Sequence, residues 1–162
     1  MGKLVLGIDP GNARCGWGLV REEGGQLVML DCGCVETDKD DWQGDRLLQV
    51  YEGVKGLLDS YAPDELAIEK LFFSRNVTSA IAVAEARGVI LMAAAQSGVP
   101  VTEYAPSEIK ETMTGNGQAR KKDMGQAVVI TLGLDKAPTP DDTADAVAIA
   151  ITHHFWSSIN AS

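Results

Sequence analysis

Four carboxylates stand where their apolar surroundings ought to exclude them. Asp9 closes the run LVLGID and leads straight into a Pro-Gly turn, and Glu69 closes a second apolar run in LAIEK. Asp142 and Asp145 open the segment DDTADAVAIAI. Their i, i+3 spacing puts both on one helical face. Ala146 to Ile151 are apolar almost all round, so that helix has to pack into the interior. Acids that close two strands and open a buried helix are the donor set from which oxygen-ligand sites for Mg2+ or Mn2+ are assembled. Each also has a plain structural use. Asp-Pro-Gly is good turn chemistry, and Glu69 could pair with Lys70 or Arg75. Thr139, with Pro140 at the first helical position and Asp142 three residues on, makes a capping arrangement at the positive end of a helix dipole. For residues this distant in sequence, spacing alone leaves both readings open.

The elements that would position these acids follow from hydropathy periods. KLVLGID (3–9), CGWGLVRE (15–22) and GQLVMLDCGCVET (25–37) read as strands separated by the turn-rich PGNA and EEGG, which predicts an antiparallel meander. Residues 42–61 carry apolar positions at helical spacing. PDELAIEKLF (63–72) reads as a fourth strand ending near Glu69. An Ala-rich helix follows over 77–96, stopped by Gly98 and Pro100. A short strand over 100–105, two helical segments (SEIKETMTG and KKDMGQAVVITLG) and a last helix from about 140 to 157 complete the chain. The order β-β-β-α-β-α-β-α-α-α predicts an α/β domain, a mixed sheet with helices on its faces, without linker or internal repeat.

Composition narrows the class. The chain has 162 residues, 45% hydrophobic and 23% charged, enough for one domain with a substantial core. No stretch reads as the roughly 20 apolar residues that cross a bilayer, and the N-terminal apolar run breaks at Asp9, so neither a membrane span nor a signal peptide is expected. Cys15, Cys32 and Cys34 form no CxxC pair and are odd in number, which predicts buried, reduced thiols in a cytosolic protein. The formal charge of −9 argues by itself against a nucleic-acid partner. Its distribution reverses that. Residues 21–65 hold twelve acids and four bases (4 − 12 = −8), whereas 66–136 hold eight bases and seven acids (8 − 7 = +1), leaving room for local basic patches such as ARKK at 119–122.

GIDPG, IEKLFFSRN, YAPSEIK and DDTADAVAIAITH, in that order and spanning the chain almost end to end, resemble the successive signatures of the bacterial RuvC Holliday junction resolvases (crossover junction endodeoxyribonucleases). GIDPG alone is unspecific, since sugar kinases and actin-like ATPases have similar phosphate loops; the second and last motifs are specific in combination. The resemblance implies a ribonuclease H-like fold of the retroviral integrase superfamily over residues 1–158, with a short tail at 159–162. Its sheet would have five strands in the order 3-2-1-4-5, the first three antiparallel, which brings the ends of the first and fourth strands together. It also implies that the family's catalytic, metal-binding acids fall on Asp9, Glu69, Asp142 and Asp145. Two Mg2+ or Mn2+ ions per site would then hydrolyse DNA phosphodiesters. Symmetric nicks in a four-way junction would leave ligatable 5′-phosphate ends, in recombination and DNA repair.

Further implied roles are Phe72 as a wedge at the branch point and Lys110 and Lys121 as cleft cations, with Arg120 and Lys122 as companions. Phe73 reads as a packing residue, and Arg75 and Asn76 are suited to phosphate contact. The glycine-rich lead of TGNGQARKK predicts a mobile basic loop. A homodimer is implied, with helix 77–96 available to pack across its dyad, as is cooperation with the RuvA–RuvB branch-migration complex in the cytoplasm. His153 and His154 are expected beyond the metals. Two other readings remain. One is an actin-like nucleotide-binding module, which would need a duplicated domain and a second phosphate loop; the other is a RuvC-like nuclease acting on RNA precursors.

Overall fold

Period-two alternation gives each strand one face toward each of two helical layers. In the computed structural model, which describes residues 2–72 and 76–162, the strands are β1 (Leu4–Asp9), β2 (Arg14–Glu23), β3 (Gln26–Glu36), β4 (Glu65–Glu69) and β5 (Val101–Tyr104). They form one sheet in the order 3-2-1-4-5. β1, β2 and β3 pair antiparallel, while β4 runs parallel to both β1 and β5. The helices are α1 (Gln43–Tyr61), α2 (Val77–Gln96), α3 (Pro106–Thr114), α4 (Lys121–Leu132) and α5 (Asp141–Asn160). This is the element order and sheet expected from sequence.

Leu4, Leu6 and Ile8 of β1, with Leu66 and Ile68 of β4, pack against Val50, Val54 and Leu58 of α1 and Ile90, Ala93 and Ala94 of α2. Val5, Val20 and Ala67 point the other way, onto Ile109, Met124, Val128 and the α5 residues Val147, Ile149 and Ile151. Each large aliphatic side chain buried in these layers contributes about 1.5–3 kcal/mol. Asp9 shares the face of Val5, and Glu69 that of Ala67. The strand period alone therefore turns both acids toward α5.

Helix α5 lies against the sheet with almost nothing between the two backbones. A β-carbon on Gly7 would come 2.2 Å from the Ala146 carbonyl oxygen, one on Gly16 2.0 Å from that of Asp142, and one on Gly18 2.5 Å from the Val147 side chain. These three glycines form a seat on β1 and β2 that only a bare α-carbon permits.

Some local expectations differ. Helix α5 starts at Asp141 with Pro140 as its cap and no side-chain cap bond, so the predicted Thr139 cap is not made; the helix runs to Asn160 rather than ending near 157. Contrary to the sequence reading, α2 is long and apolar enough, by length and composition, to span a membrane. Arg87 in its middle instead docks it on the sheet, donating to the Glu69 carbonyl (3.1 Å) and pairing with Glu103 (3.3 Å). The three cysteines are free, but only Cys15 is buried; Cys32 and Cys34 are half-exposed. Residues 116–119 are a braced turn and not a free loop. Ala119 is buried and donates to the Asn116 carbonyl, and the Asn116 side chain accepts from the Gln118 amide.

Candidate active site at the ends of the central strands

The carboxyl end of β1 lies between β2 and β4, beneath the first turns of α5. Asp9, Asp142 and Asp145 each offer a carboxylate oxygen there, and the three lie within 4.8 Å of one another. Glu69, at the end of the neighbouring strand, falls outside that tightest group. It lines the adjoining cleft of about 280 Å3 together with Asp145, Lys110 and Lys121. The first turn of α5 is held by Thr143, which donates to the Gly33 carbonyl (3.2 Å) and contacts Cys34 Sγ at 3.1 Å.

Burial and mutual repulsion make this cluster proton-hungry. Asp9 is pushed up to about 8, first by burial and then by the charges of Glu69, Asp145 and Asp142, with Lys121 opposing. Glu69 is raised by burial and by Asp145, against the pull of Lys110 and Lys121. Asp145 is raised chiefly by burial, with Lys121 drawing it back. The same field and burial drive the Cys15 thiol to about 12, so it is inert as a nucleophile. Among the described residues, none of the four acids has an ion-pair partner; the nearest arrangement is Lys121 with Asp141 at 3.9 Å. A buried acid group without neutralising cations, made only of carboxylate oxygen, fits a hard divalent ion. Asp142 lies in the first turn of α5, at the positive end of its dipole, without a side-chain cap bond from Thr139; of the pairing partners considered for Glu69, Arg75 lies outside the described residues.

The surrounding candidates separate. Lys110, on α3, and Lys121, at the start of α4, face the cleft. Arg120 folds back onto Asp123, its Nε donating at 3.3 Å, and Lys122 lines a different hollow between α4 and the 137–141 segment. Phe72 is 60% exposed, as a base-stacking side chain would need. Asn76 caps α2, accepting from the Ser79 amide at 3.2 Å, a role the phosphate reading did not anticipate. Phe73 and Arg75 lie outside the described residues. His153 and His154 are buried on α5, two turns and more beyond Asp145. Sequence reading missed the glycine seat; its trace was the alternation of Gly7, Gly16 and Gly18 on the face shared with Asp9.

The family model for the crossover junction endodeoxyribonuclease RuvC matches residues 5–153. The chain belongs to that family. Its relatives in the RuvC family include those of Chloroflexus aggregans, 48% identical over 93% of this chain and 92% of that protein, and Roseiflexus sp., 47% identical over 93% and 90%. The structure of T. thermophilus RuvC in complex with Holliday junction substrate superposes with a TM-score of 0.92 at 35% identity, covering 98% of this chain and 96% of that one. The ribonuclease H-like fold of RuvC is thus the fold of this chain, and the actin-like and RNA-directed readings are not favoured.

Proposed function

We propose that this protein is a structure-specific endonuclease that binds four-way DNA junctions and nicks two opposed strands symmetrically, leaving ligatable 5′-phosphate ends in recombination and repair. The observation that carries this reading is the convergence of Asp9, Asp142 and Asp145 oxygens within 4.8 Å, next to a cleft edged by Lys110 and Lys121, in a RuvC-family chain. A relative solved with a Holliday junction supports the choice of DNA form.

Asp9, Glu69, Asp142 and Asp145 would hold two divalent ions, Mg2+ or Mn2+. When bound, such a pair supplies an activated water and stabilises the leaving 3′ oxygen of an in-line displacement. The protein's own residues do the rest. Asp9, on the central strand, has acids on both sides and is the natural shared ligand. Lys110 and Lys121 draw in the phosphate backbone that the acids would otherwise repel. Phe72, exposed three residues beyond Glu69, offers a stacking face worth about 1–3 kcal/mol per base. Arg75, Arg120 and Lys122 are additional candidate phosphate contacts; Phe73 is a candidate support for Phe72.

A homodimer would present two such sites to the two-fold junction. Val77, Ile81 and Met92 are exposed along α2, and a β-carbon on Gly88 would meet nothing, so this face is free to take a second copy. Function alongside RuvA–RuvB in the cytoplasm completes the reading.

The test is nicking of a synthetic four-way junction in Mg2+ and in Mn2+, comparing wild type with Asp9→Asn. The expected result is paired nicks by wild type and none by the variant, with junction binding retained or tightened because a repelling carboxylate is gone. Cleavage by Asp9→Asn, or an inactive wild type in both metals, would overturn the reading.

A further inference from the structure

Hollows on more than one side border the acid cluster. Toward α3 the cleft holds Glu69, Lys110, Lys121 and Asp145. Toward the β1–β2 turn a second hollow of about 560 Å3 is lined by Gly11, Asn12, Arg14, Pro140, Asp141 and Asp142, and it shares Lys121 with the first. A nucleic-acid strand laid across the acids has to continue into both. The first hollow has Lys110 of its own; the second has two aspartates in its wall, and its one private cation is Arg14.

Arg14 is exposed and opens β2. Its register neighbour on β3 is Glu36, also exposed, yet Arg14 forms no ion pair with Glu36 or with any other described residue. The turn that carries it is stiff. The Thr37 amide donates to the Ala13 carbonyl at 3.0 Å and the Thr37 hydroxyl to the Asn12 carbonyl at 2.6 Å. The Asn12 side-chain nitrogen donates to Gln43 Oε1 at 3.2 Å and its oxygen accepts from Arg46 Nη1 at 3.0 Å, while Arg46 Nε donates to the Thr37 hydroxyl at 3.0 Å. A β-carbon on Gly11 would come 2.1 Å from the Arg14 carbonyl oxygen, so the chain doubles back tightly just before Arg14. An unpaired guanidinium on a braced turn, at the rim of a hollow whose wall includes the candidate metal ligand Asp142, is suited to bidentate capture of a phosphate.

We infer that Arg14 grips a backbone phosphate of the cleaved strand on the side of the scissile linkage opposite Lys110, so that the strand is held at both ends over the acids. The inference rests on the junction-cleaving reading above. It deepens that reading by adding a cation that neither motif nor charge run had singled out.

The test uses the full chain carrying Asp9→Asn, to stop cleavage, with or without Arg14→Gln or Arg14→Lys, and a synthetic four-way junction. Arg14→Gln is expected to weaken binding about fivefold to tenfold near 0.1 M salt and to make the log K against log[salt] slope shallower by about one. Arg14→Lys keeps the charge and should keep the slope. Single neutral methylphosphonate linkages are then walked along the strand. One position beside the scissile phosphate should weaken binding by the Arg14 protein and leave Arg14→Gln unaffected. Equal slopes and equal sensitivity to every neutral linkage in both proteins would overturn the Arg14 assignment alone. A wild-type chain that binds no junction would overturn the resolvase reading and this inference together.

Discussion

Glu65 and Glu69 are the same residue type, on the same strand and the same face, four residues apart, and their surroundings push them in opposite directions. Partial burial raises Glu65, but hydrogen bonds and charge from Lys3 and His153 outweigh it and hold the carboxylate below its ordinary 4.5. Lys3 Nζ approaches at 2.7 Å. Because an ionised Glu65 can only accept, His153 Nε2 donates to it, and His153 Nδ1 shares a hydrogen bond with the Tyr104 hydroxyl at 2.8 Å. Glu69 has burial and Asp145 driving it up, with only the more distant lysines 110 and 121 in opposition. One carboxylate is satisfied by the fold. The other is left to be satisfied by something the fold does not contain. Buried acids of the two kinds look identical in a sequence and differ only in whether a cation was built beside them.

Four measurements would break or sharpen that contrast. The largest effect should come from Glu69→Gln, which is expected to cut junction cleavage by about 10²–10³-fold or more, while Glu65→Gln should leave the rate within about twofold; comparable losses would erase the distinction. Next, Mg2+ should stabilise wild type in thermal melts, by about 2.7 kcal/mol at a hundredfold excess over its Kd. Asp9→Asn should lose most of that gain and Glu65→Gln none. Third, Glu65→Gln should cost about 1–3 kcal/mol by turning an amide NH2 toward one of the two donors, Lys3 or His153, in place of an acceptor, measurable as a lowered urea midpoint, and Glu69→Gln should cost nothing or stabilise the metal-free protein.

The smallest effect is a pair of opposed pH slopes. Asp9 holds, when folded, a proton that the unfolded chain releases near 3.8, so its contribution to metal-free stability declines as pH rises toward about 8. Glu65 is depressed, so its contribution is present above its ordinary 4.5 and is lost as pH falls through its lowered folded value. Chemical denaturation across pH 3 to 9 should therefore flatten at its alkaline end in Asp9→Asn and at its acid end in Glu65→Gln. Identical profiles in the two variants would mean that neither carboxylate is perturbed by its site.

Much of this was legible beforehand because it depends on local periods. Alternation in LVLGID and LAIEK sends Asp9 and Glu69 to one face, and the i, i+3 step pairs Asp142 with Asp145. Their meeting was not legible from periods. It requires β1 to lie beside β4 and α5 to cross both, and only the family resemblance supplied that order. The sequence places the histidines beyond the metals but does not show what His153 does there, because its partners Glu65 and Tyr104 come from two strands distant in sequence. Asn76, suited in the sequence to phosphate contact, also caps α2, a use visible only once the helix start is fixed. Glu85 and Arg87 interrupt the otherwise apolar α2, and the fold uses Arg87 as an anchor.

The glycine seat under α5 has a consequence for how this enzyme can vary. Between most packed elements the separation is set by side chains, and it drifts by fractions of an ångström whenever the core is repacked. At Gly7 and Gly16 the helix rests on the peptide units of the sheet, 2.0–2.2 Å from where a β-carbon would stand. The gap between Asp9 and the two α5 aspartates is therefore gauged by backbone thickness, a quantity that does not mutate. Leucines and valines elsewhere in the two cores can be exchanged over generations without detuning the cluster. A single methyl at either glycine acts as a shim that opens it.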